Sequence, residues 1–332
     1  APTLMLVYNV GSKQAGIKVD KTLAVMLVLG MCFAANLGGP GSPAAGGRNA
    51  IMVAILADYG PAPTFFQWMR LGMPFVPVAG LAMAGYFYLF IRRKVAVGQL
   101  NVARVVKDEA ARLGPMTLQE YMAAAVLVLV VVLWMTTGDE EGASGLGMGG
   151  PVLIGIVLMA IVRIMTWRDV NQISWDVVAL YGSASAMGAG LAATGAAIWI
   201  AKMFVDALPA AMASGDGLAI SSSLITALLT QVMSDGATVS AVGPITVPMA
   251  TLSGTDPWKV GLATAFASSF ANCFISGTPN NAIAFALARD LNTGEQLVTL
   301  PDFLKHGAVV TLLSLLVLWA WLIMGYWRWI GF

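Results

Sequence analysis

The 332-residue chain reads as an all-α polytopic membrane protein. Composition is the first reason: 58% of its residues are hydrophobic and 11% are charged, whereas a soluble domain carries about 25% charge. Mean hydropathy is +0.79. The second reason is a series of apolar runs near the roughly twenty residues that cross hydrocarbon. The third is that two more runs stop at clusters of Gly, Pro and Asn and then resume. Eighteen Lys and Arg against seventeen Asp and Glu leave a net charge of +1, so no basic field points to nucleic acid. Two cysteines and one histidine exclude a disulfide framework or a Cys/His metal cluster, and no cofactor is expected.

In chain order, residues 1–10 are already apolar, with no initiator Met and no basic-then-apolar leader. A first broken helix covers 22–57, interrupted at 38–49. A span follows at 63–91. In the polar connector 92–118, Val95, Val102, Val106 and Leu113 recur at helical spacing among Arg and Lys, the pattern of an amphipathic helix on a membrane surface. Spans are expected at 121–135, 151–165 and 177–204. At 218–253, two apolar arms flank Ser234-Asp235-Gly236; each arm looks short for a crossing, which predicts a re-entrant hairpin with a polar tip. A second broken helix covers 258–290, interrupted at 276–281, and a last span covers 308–326. Glycine and proline at the interruptions break the backbone ladder. Released backbone groups are tolerated at membrane depth only inside protein or along a wet cavity.

Charge sets the orientation. Lys13, Lys18 and Lys21, the connector, Arg163 and Arg168, and Arg289 and Lys305 mark one side as cytoplasmic. Asp58, Asp139-Glu140-Glu141, Asp206 with Asp216, and Asp256 mark the other. The zigzag puts the hairpin's entry and the C-terminus at Phe332 outside, in a plasma or inner membrane. Lys202 and Asp206, one turn apart, read as an interface pair.

The two interruptions resemble each other. Arg48-Asn49-Ala50-Ile51 matches Asn280-Asn281-Ala282-Ile283, and an Ala-Asn pair precedes each (Ala35-Asn36, Ala271-Asn272). By the zigzag they run in opposite directions, which predicts an inverted repeat with a transport site between paired broken helices. Half-helix starts would attract an anion, and exposed oxygens would hold Na⁺. Either break alone reads more simply as a kink; two matched breaks and a hairpin favour the site. Arg48 is a cation where a cation is expensive. It is expected to bind a substrate carboxylate bidentately, to pair with Asp235 in the empty site, or to reach an aqueous interface.

Longer motifs carry a family resemblance. Ile173-Ser174-Trp175-Asp176-Val177 with Tyr181-Gly182 resembles the "Asn-Trp-Asp-Val … Phe-Gly-Gly" segment of the divalent anion:sodium symporter family. Gly114-Pro115-Met116-Thr117, before a helix, and Asp302-Phe303-Leu304-Lys305, before the last one, are similar to that family too. So are Gly38-Gly39-Pro40-Gly41-Ser42, similar to "Gly-Gly-x-Gly-Thr", and Ser268-Ser269 with Gly277-Thr278-Pro279-Asn280-Asn281-Ala282-Ile283, similar to "Ser-Ser … Ala-Thr-Pro-Pro-Asn-Ala-Ile". The resemblance implies a homodimeric elevator-type symporter of dicarboxylates, tricarboxylates or sulfate, coupled to Na⁺ in a lipid bilayer. It implies transport elements at 1–91 and 214–332, the connector at 92–118 and scaffold helices at 119–206. It also implies substrate contacts at Arg48, Gly46, Gly236, Thr238, Thr278 and Pro279, and Na⁺ contacts at Ala45, Asn49, Ser234, Asp235, Gly277 and Asn281.

The sequence departs from the pattern at two places. The hairpin tip has Asp235-Gly236 where the family has Asn-Thr, and the first break has Gly46-Gly47-Arg48 where the family has Thr-Pro-Pro. Asp235 keeps an oxygen ligand but adds a charge that repels an anion unless it is neutralised. An ion or metalloid exchanger built around Asp235 is therefore a rival reading. Spacing Asn49 from its own hairpin tip as Asn281 is spaced from Ser234 puts that tip at the start of the chain. Residues 1–10 are then expected as the second arm of a first hairpin, the family's earlier helices as missing, and the polypeptide as unable to transport alone, which makes a non-transporting remnant a third reading. Gly145 to Gly150 mimics a dinucleotide loop without the preceding strand, and His306, Cys32 and Cys273 read as interface or core residues.

Overall fold

The computed structural model describes residues 20–92, 114–136, 149–171, 193–290 and 293–332, with scattered single positions such as Tyr8. Most of 1–10 and of the connector, the acidic run 139–141 and the segment 173–177 lie outside the described residues. Apart from one antiparallel bridge between Arg289 and Gln296, the regular elements described are helical. Among the described residues, four stretches are long and apolar enough to cross a membrane: Lys21–Gly41, Phe65–Ile91, Leu118–Thr136 and Leu300–Trp327. An integral membrane protein follows.

Helix α1 spans Lys21–Leu37 and starts where the Asp20 carboxylate accepts the Leu23 N–H at 3.0 Å. Gly38 ends it. Two tight turns, Gly39–Gly41 and Pro43–Ala45, precede α2, Gly47–Ala57, so the first break stands as expected. The 63–91 span is interrupted: α3 is Phe65–Gly72, Pro74 restarts the chain as α4, Phe75–Tyr86, and a wider turn completes it at Phe87–Ile91. Helices α5, Leu118–Thr136, and α6, Gly149–Ile161, pack together where Gly155 leaves room for Val130.

Several expectations need correction. The 151–165 span is shorter as a helix, because α6 ends at Ile161 and Arg163 turns left-handed at φ 57°. The 177–204 span is not one helix: Gly195 is left-handed (φ 72°) and α7 starts after it, Ala196–Ala207. Lys202 and Asp206, on α7, form no ion pair among the described residues. The hairpin arms, α8, Gly215–Val232, and α9, Asp235–Leu252, have 18 residues each. At 1.5 Å per residue each is about 27 Å long, so the arms are not short. The last span starts earlier than expected, as α12, Leu300–Leu316 continued to Trp327, because a capping box outweighs the charges in its first turns.

The second break lies between α10, Pro257–Ser268, and α11, Pro279–Leu287, with a tight turn at Ile275–Gly277. Both hairpin arms pack on α10, and α2 packs on α9 and α10. Aromatic contacts tie α3 and α4 to this unit: Trp68 meets Phe266 edge-on at 5.6 Å and Phe75 stacks on Phe270 at 5.4 Å. By contrast, α5 buries only Val130, as a lipid-facing helix should.

One set of local contacts occurs twice. Helix α3 opens on a capping box between Thr64 and Gln67, and α12 opens on one between Thr299 and Asp302. In the second turn of each stands a glycine pressed against a break. A Cβ on Gly72 would lie 2.1 Å from the Pro40 carbonyl oxygen, and one on Gly307 would lie 2.1 Å from that of Asn272. Gly72→Ala and Gly307→Ala are each expected to lower stability by about 1–3 kcal/mol through overpacking. Gly80→Ala, which meets nothing within 4 Å, should be neutral or slightly stabilising. Thermal unfolding in detergent would check all three, and equal midpoints would refute the close approach.

Candidate functional site between the two breaks

Each break is closed by an asparagine three residues into the second half-helix. Asn49 Nδ2 donates to the carbonyls of Gly39 (2.9 Å) and Ser42 (2.8 Å). Asn281 Nδ2 donates to those of Ala271 (2.7 Å) and Phe274 (2.8 Å), at the same separations of ten and seven residues. The turns Pro43–Ala45 and Ile275–Gly277 coincide in this register, and so do the extended residues Gly46 and Thr278. The register separates the two Ala-Asn pairs, which are not counterparts. Asn36 lies in α1 and Asn272 inside the second break, and the two bond to each other, Asn36 Nδ2 to Asn272 Oδ1 at 3.0 Å.

The asparagine oxygens differ. Asn281 Oδ1 accepts from Asn36 Nδ2 and from the Cys32 thiol, both at 3.0 Å. Asn36 Oδ1 in turn accepts from Asn280 Nδ2 at 3.0 Å and from the Thr278 hydroxyl at 3.3 Å. Asn49 is fully buried, yet its Oδ1 has no donor. A buried acceptor left bare is costly.

Beside Asn49 lies the charged cluster. Arg48 is 7% exposed. Its Nη1 pairs with Asp235 Oδ2 at the hairpin tip, and its Nε donates to Ser269 Oγ at 2.8 Å, at the end of α10. The break supplies the room: a Cβ on Gly39 would lie 1.9 Å from Arg48 Nη2, and one on Gly46 would lie 2.8 Å from Nη1. Asp235 Oδ1 accepts the Gly236 N–H at 2.7 Å. Its charge, in the first turn of α9, complements the helix dipole. Three elements distant in sequence thus meet at one guanidinium, and of the three settings expected for Arg48 the structure contains the pair with Asp235.

The other expected residues are placed unevenly. Ala45, Ser234 and Pro279 are exposed around the breaks and the tip, and Gly277 is buried against Ala271. Thr238 turns its hydroxyl back to the Ser234 carbonyl at 2.9 Å, and Thr278 uses its own to cap Asn281 at 3.2 Å. Both hydroxyls are therefore engaged inside the fold in this conformation. Sequence reasoning missed Ser269, Gly39, Asn36 and Asn272 as site members. Ser269 stood in the "Ser-Ser" motif, and the two asparagines in the Ala-Asn pairs.

The family model described as "Sodium:sulfate symporter transmembrane region" matches residues 3–332. The chain belongs to this family. Membership agrees with the divalent anion:sodium symporter resemblance. Similar proteins include the sodium-dependent high-affinity dicarboxylate transporter 3 of Caenorhabditis elegans, 25% identical over 90% of this chain and 56% of that protein. The sodium-dependent dicarboxylate transporter SdcS of Staphylococcus aureus is 23% identical over 88% of this chain and 57% of its own length. A low-affinity phosphate transporter of Saccharomyces cerevisiae, PHO90, is 29% identical over 55% of this chain and 20% of its own length. The chain thus spans a little over half the length of the two dicarboxylate transporters. The family and these relatives are transporters, not enzymes. In this family member the two departures from the pattern, Arg48 for proline and Asp235 for asparagine, are paired with each other, so each charge neutralises the other.

Proposed function

We propose that the chain forms the core of a Na⁺-coupled secondary carrier of anionic metabolites, with dicarboxylates as the first substrate class. The observation that carries this reading is the adjacency, on one half-helix start, of a buried cationic side chain, Arg48, and a buried carboxamide oxygen without a donor, Asn49 Oδ1. The first supplies an anion seat and the second a cation seat. Gly46, Gly236, Thr238, Thr278 and Pro279 complete the substrate side, with the two threonine hydroxyls released by movement of the tip and the second break. Ala45, Ser234, Asp235 and Gly277 complete the cation side, with Asn281 a weaker candidate because its oxygen already has two donors. The names of the dicarboxylate relatives support both ligands.

The doubled contacts at the breaks support an inverted repeat, in which 1–91 and 214–332 move as transport elements against a scaffold at 119–206. That movement is the elevator step. A connector at 92–118 on the cytoplasmic surface, a homodimer, a plasma-membrane location and an outside C-terminus complete the proposal. Its test is titration of the purified protein with succinate, citrate and sulfate in Na⁺ or choline, followed by uptake into proteoliposomes. Na⁺-dependent succinate binding is the expected result. Absence of binding by all three anions in Na⁺, or binding indifferent to Na⁺, would overturn it.

A further inference from the structure

We infer that the Arg48–Asp235 pair is the coupling device itself: an internal ion pair that is exchanged for two external ones when cation and anion bind together. The inference rests on the carrier reading and assigns how its two ligands depend on each other.

The starting state is neutral. Arg48 and Asp235 have side chains 8% and 17% exposed, so each charge is held mainly by the other. Removing one partner of such a pair strands a charge in a poorly hydrated place, which costs far more than the pair itself contributes. An anion that takes the guanidinium must therefore displace Asp235, and the displaced carboxylate needs a cation. Conversely, a cation that takes the Asp235 carboxylate strands Arg48 unless an anion arrives. Only the double exchange leaves both side chains paired: Arg48–Asp235 plus Na⁺ plus one substrate carboxylate group gives Arg48–carboxylate and Asp235–Na⁺. Charge balances on both sides.

The geometry says which partner moves. The guanidinium is held by Ser269 and by bare backbone at Gly39 and Gly46, positions where a side chain would overlap it. Asp235 stands at the hairpin tip, the less buried of the two, with a local bond only to Gly236. The residue after Arg48 is Asn49, whose buried Oδ1 has no donor and is open to a cation. Cation arrival thus pulls on the tip, and anion arrival releases it. Where the family pattern has uncharged residues at both positions, this chain has a matched pair, so the dependence is written into these two side chains.

The test is equilibrium titration of purified protein with succinate, with and without saturating Na⁺, and with radioactive sodium, with and without succinate. In the unaltered protein each ligand should raise the other's affinity at least about tenfold, within the usual range of coupling between sites. Asp235→Asn leaves Arg48 available, so succinate should bind without Na⁺ and the enhancement should fall below about twofold. Arg48→Gln should lose succinate affinity while sodium binding no longer responds to succinate. If either single variant is not recovered folded, Arg48→Gln/Asp235→Asn, which strands no charge, must show no mutual effect. Enhancement equal to that of the unaltered protein, in Asp235→Asn or in the double variant, overturns the exchange while leaving the carrier reading intact. Failure of the unaltered protein to bind any of the three anions in Na⁺ overturns the carrier reading instead.

Discussion

Arg48→Gln is expected to abolish Na⁺-dependent succinate binding and to lower stability by about 2–4 kcal/mol, slightly below the cost of breaking a fully buried pair because Asp235 retains some solvent contact. Glutamine is long enough to reach Ser269 but carries no charge, so the Asp235 carboxylate loses its counterion and any arriving anion loses its own. Arg48→Lys separates charge from geometry. Lysine keeps the charge but cannot present one nitrogen to Ser269 and another to Asp235. It should recover part of the stability and little of the affinity. The double variant Arg48→Gln/Asp235→Asn should regain most of the lost stability without regaining succinate binding. Thermal unfolding in detergent, run beside succinate titration, distinguishes these outcomes. A normal midpoint with normal succinate binding in Arg48→Gln would remove Arg48 from the site and make the pair incidental.

The architecture was legible in the sequence wherever hydrophobic length and helix-breaking residues decide structure. Both breaks, the polar tip at Ser234 and the span starting near residue 63 were placed by glycine, proline and charge alone. Misplacements came where local and global signals compete. The charged turn Asp302 to His306 reads as loop by composition, yet Thr299 and Asp302 form a cap that carries the helix through it. Gly195 looks like one more membrane-helix glycine, and only its left-handed backbone marks a helix boundary. The site was half legible. Arg48 and Asp235 stood out because buried charge is expensive, and their meeting was one of the stated alternatives. Ser269, Gly39 and Asn36 were not singled out, because serine, glycine and asparagine are ordinary residues whose role depends on what they touch. Contacts spanning more than two hundred positions, such as Arg48 to Ser269, leave no periodic trace in a sequence.

Asn49→Ala and Asn281→Ala form the second decisive experiment, because the two residues do the same mechanical work in different electrostatic settings. Each donates two hydrogen bonds that close its break, at matching distances and offsets. Removing either leaves two carbonyls short of a donor, at about 1–3 kcal/mol for each one that stays buried. Similar losses of stability, about 2–4 kcal/mol, are therefore expected from both variants. Asn281→Ala also frees Asn36 Nδ2 and the Cys32 thiol, so its loss should be the larger. Sodium dependence should separate them in the opposite sense. Asn49 Oδ1 is a buried acceptor without a donor, and removing it takes a ligand from the proposed cation seat. Half-saturation by Na⁺ should rise at least about tenfold, the equivalent of roughly 1.4 kcal/mol. Asn281 Oδ1 already holds two donors, so its removal should change Na⁺ half-saturation by less than about threefold, under roughly 1 kcal/mol. Succinate binding titrated against Na⁺ at fixed temperature, beside thermal unfolding of the same samples, reads both quantities. Equal shifts in Na⁺ dependence from the two variants would place cations at both breaks and make the internal donors at Asn281 exchangeable. A shift from Asn281→Ala alone would move the cation seat to the second break and leave the bare oxygen of Asn49 without a role.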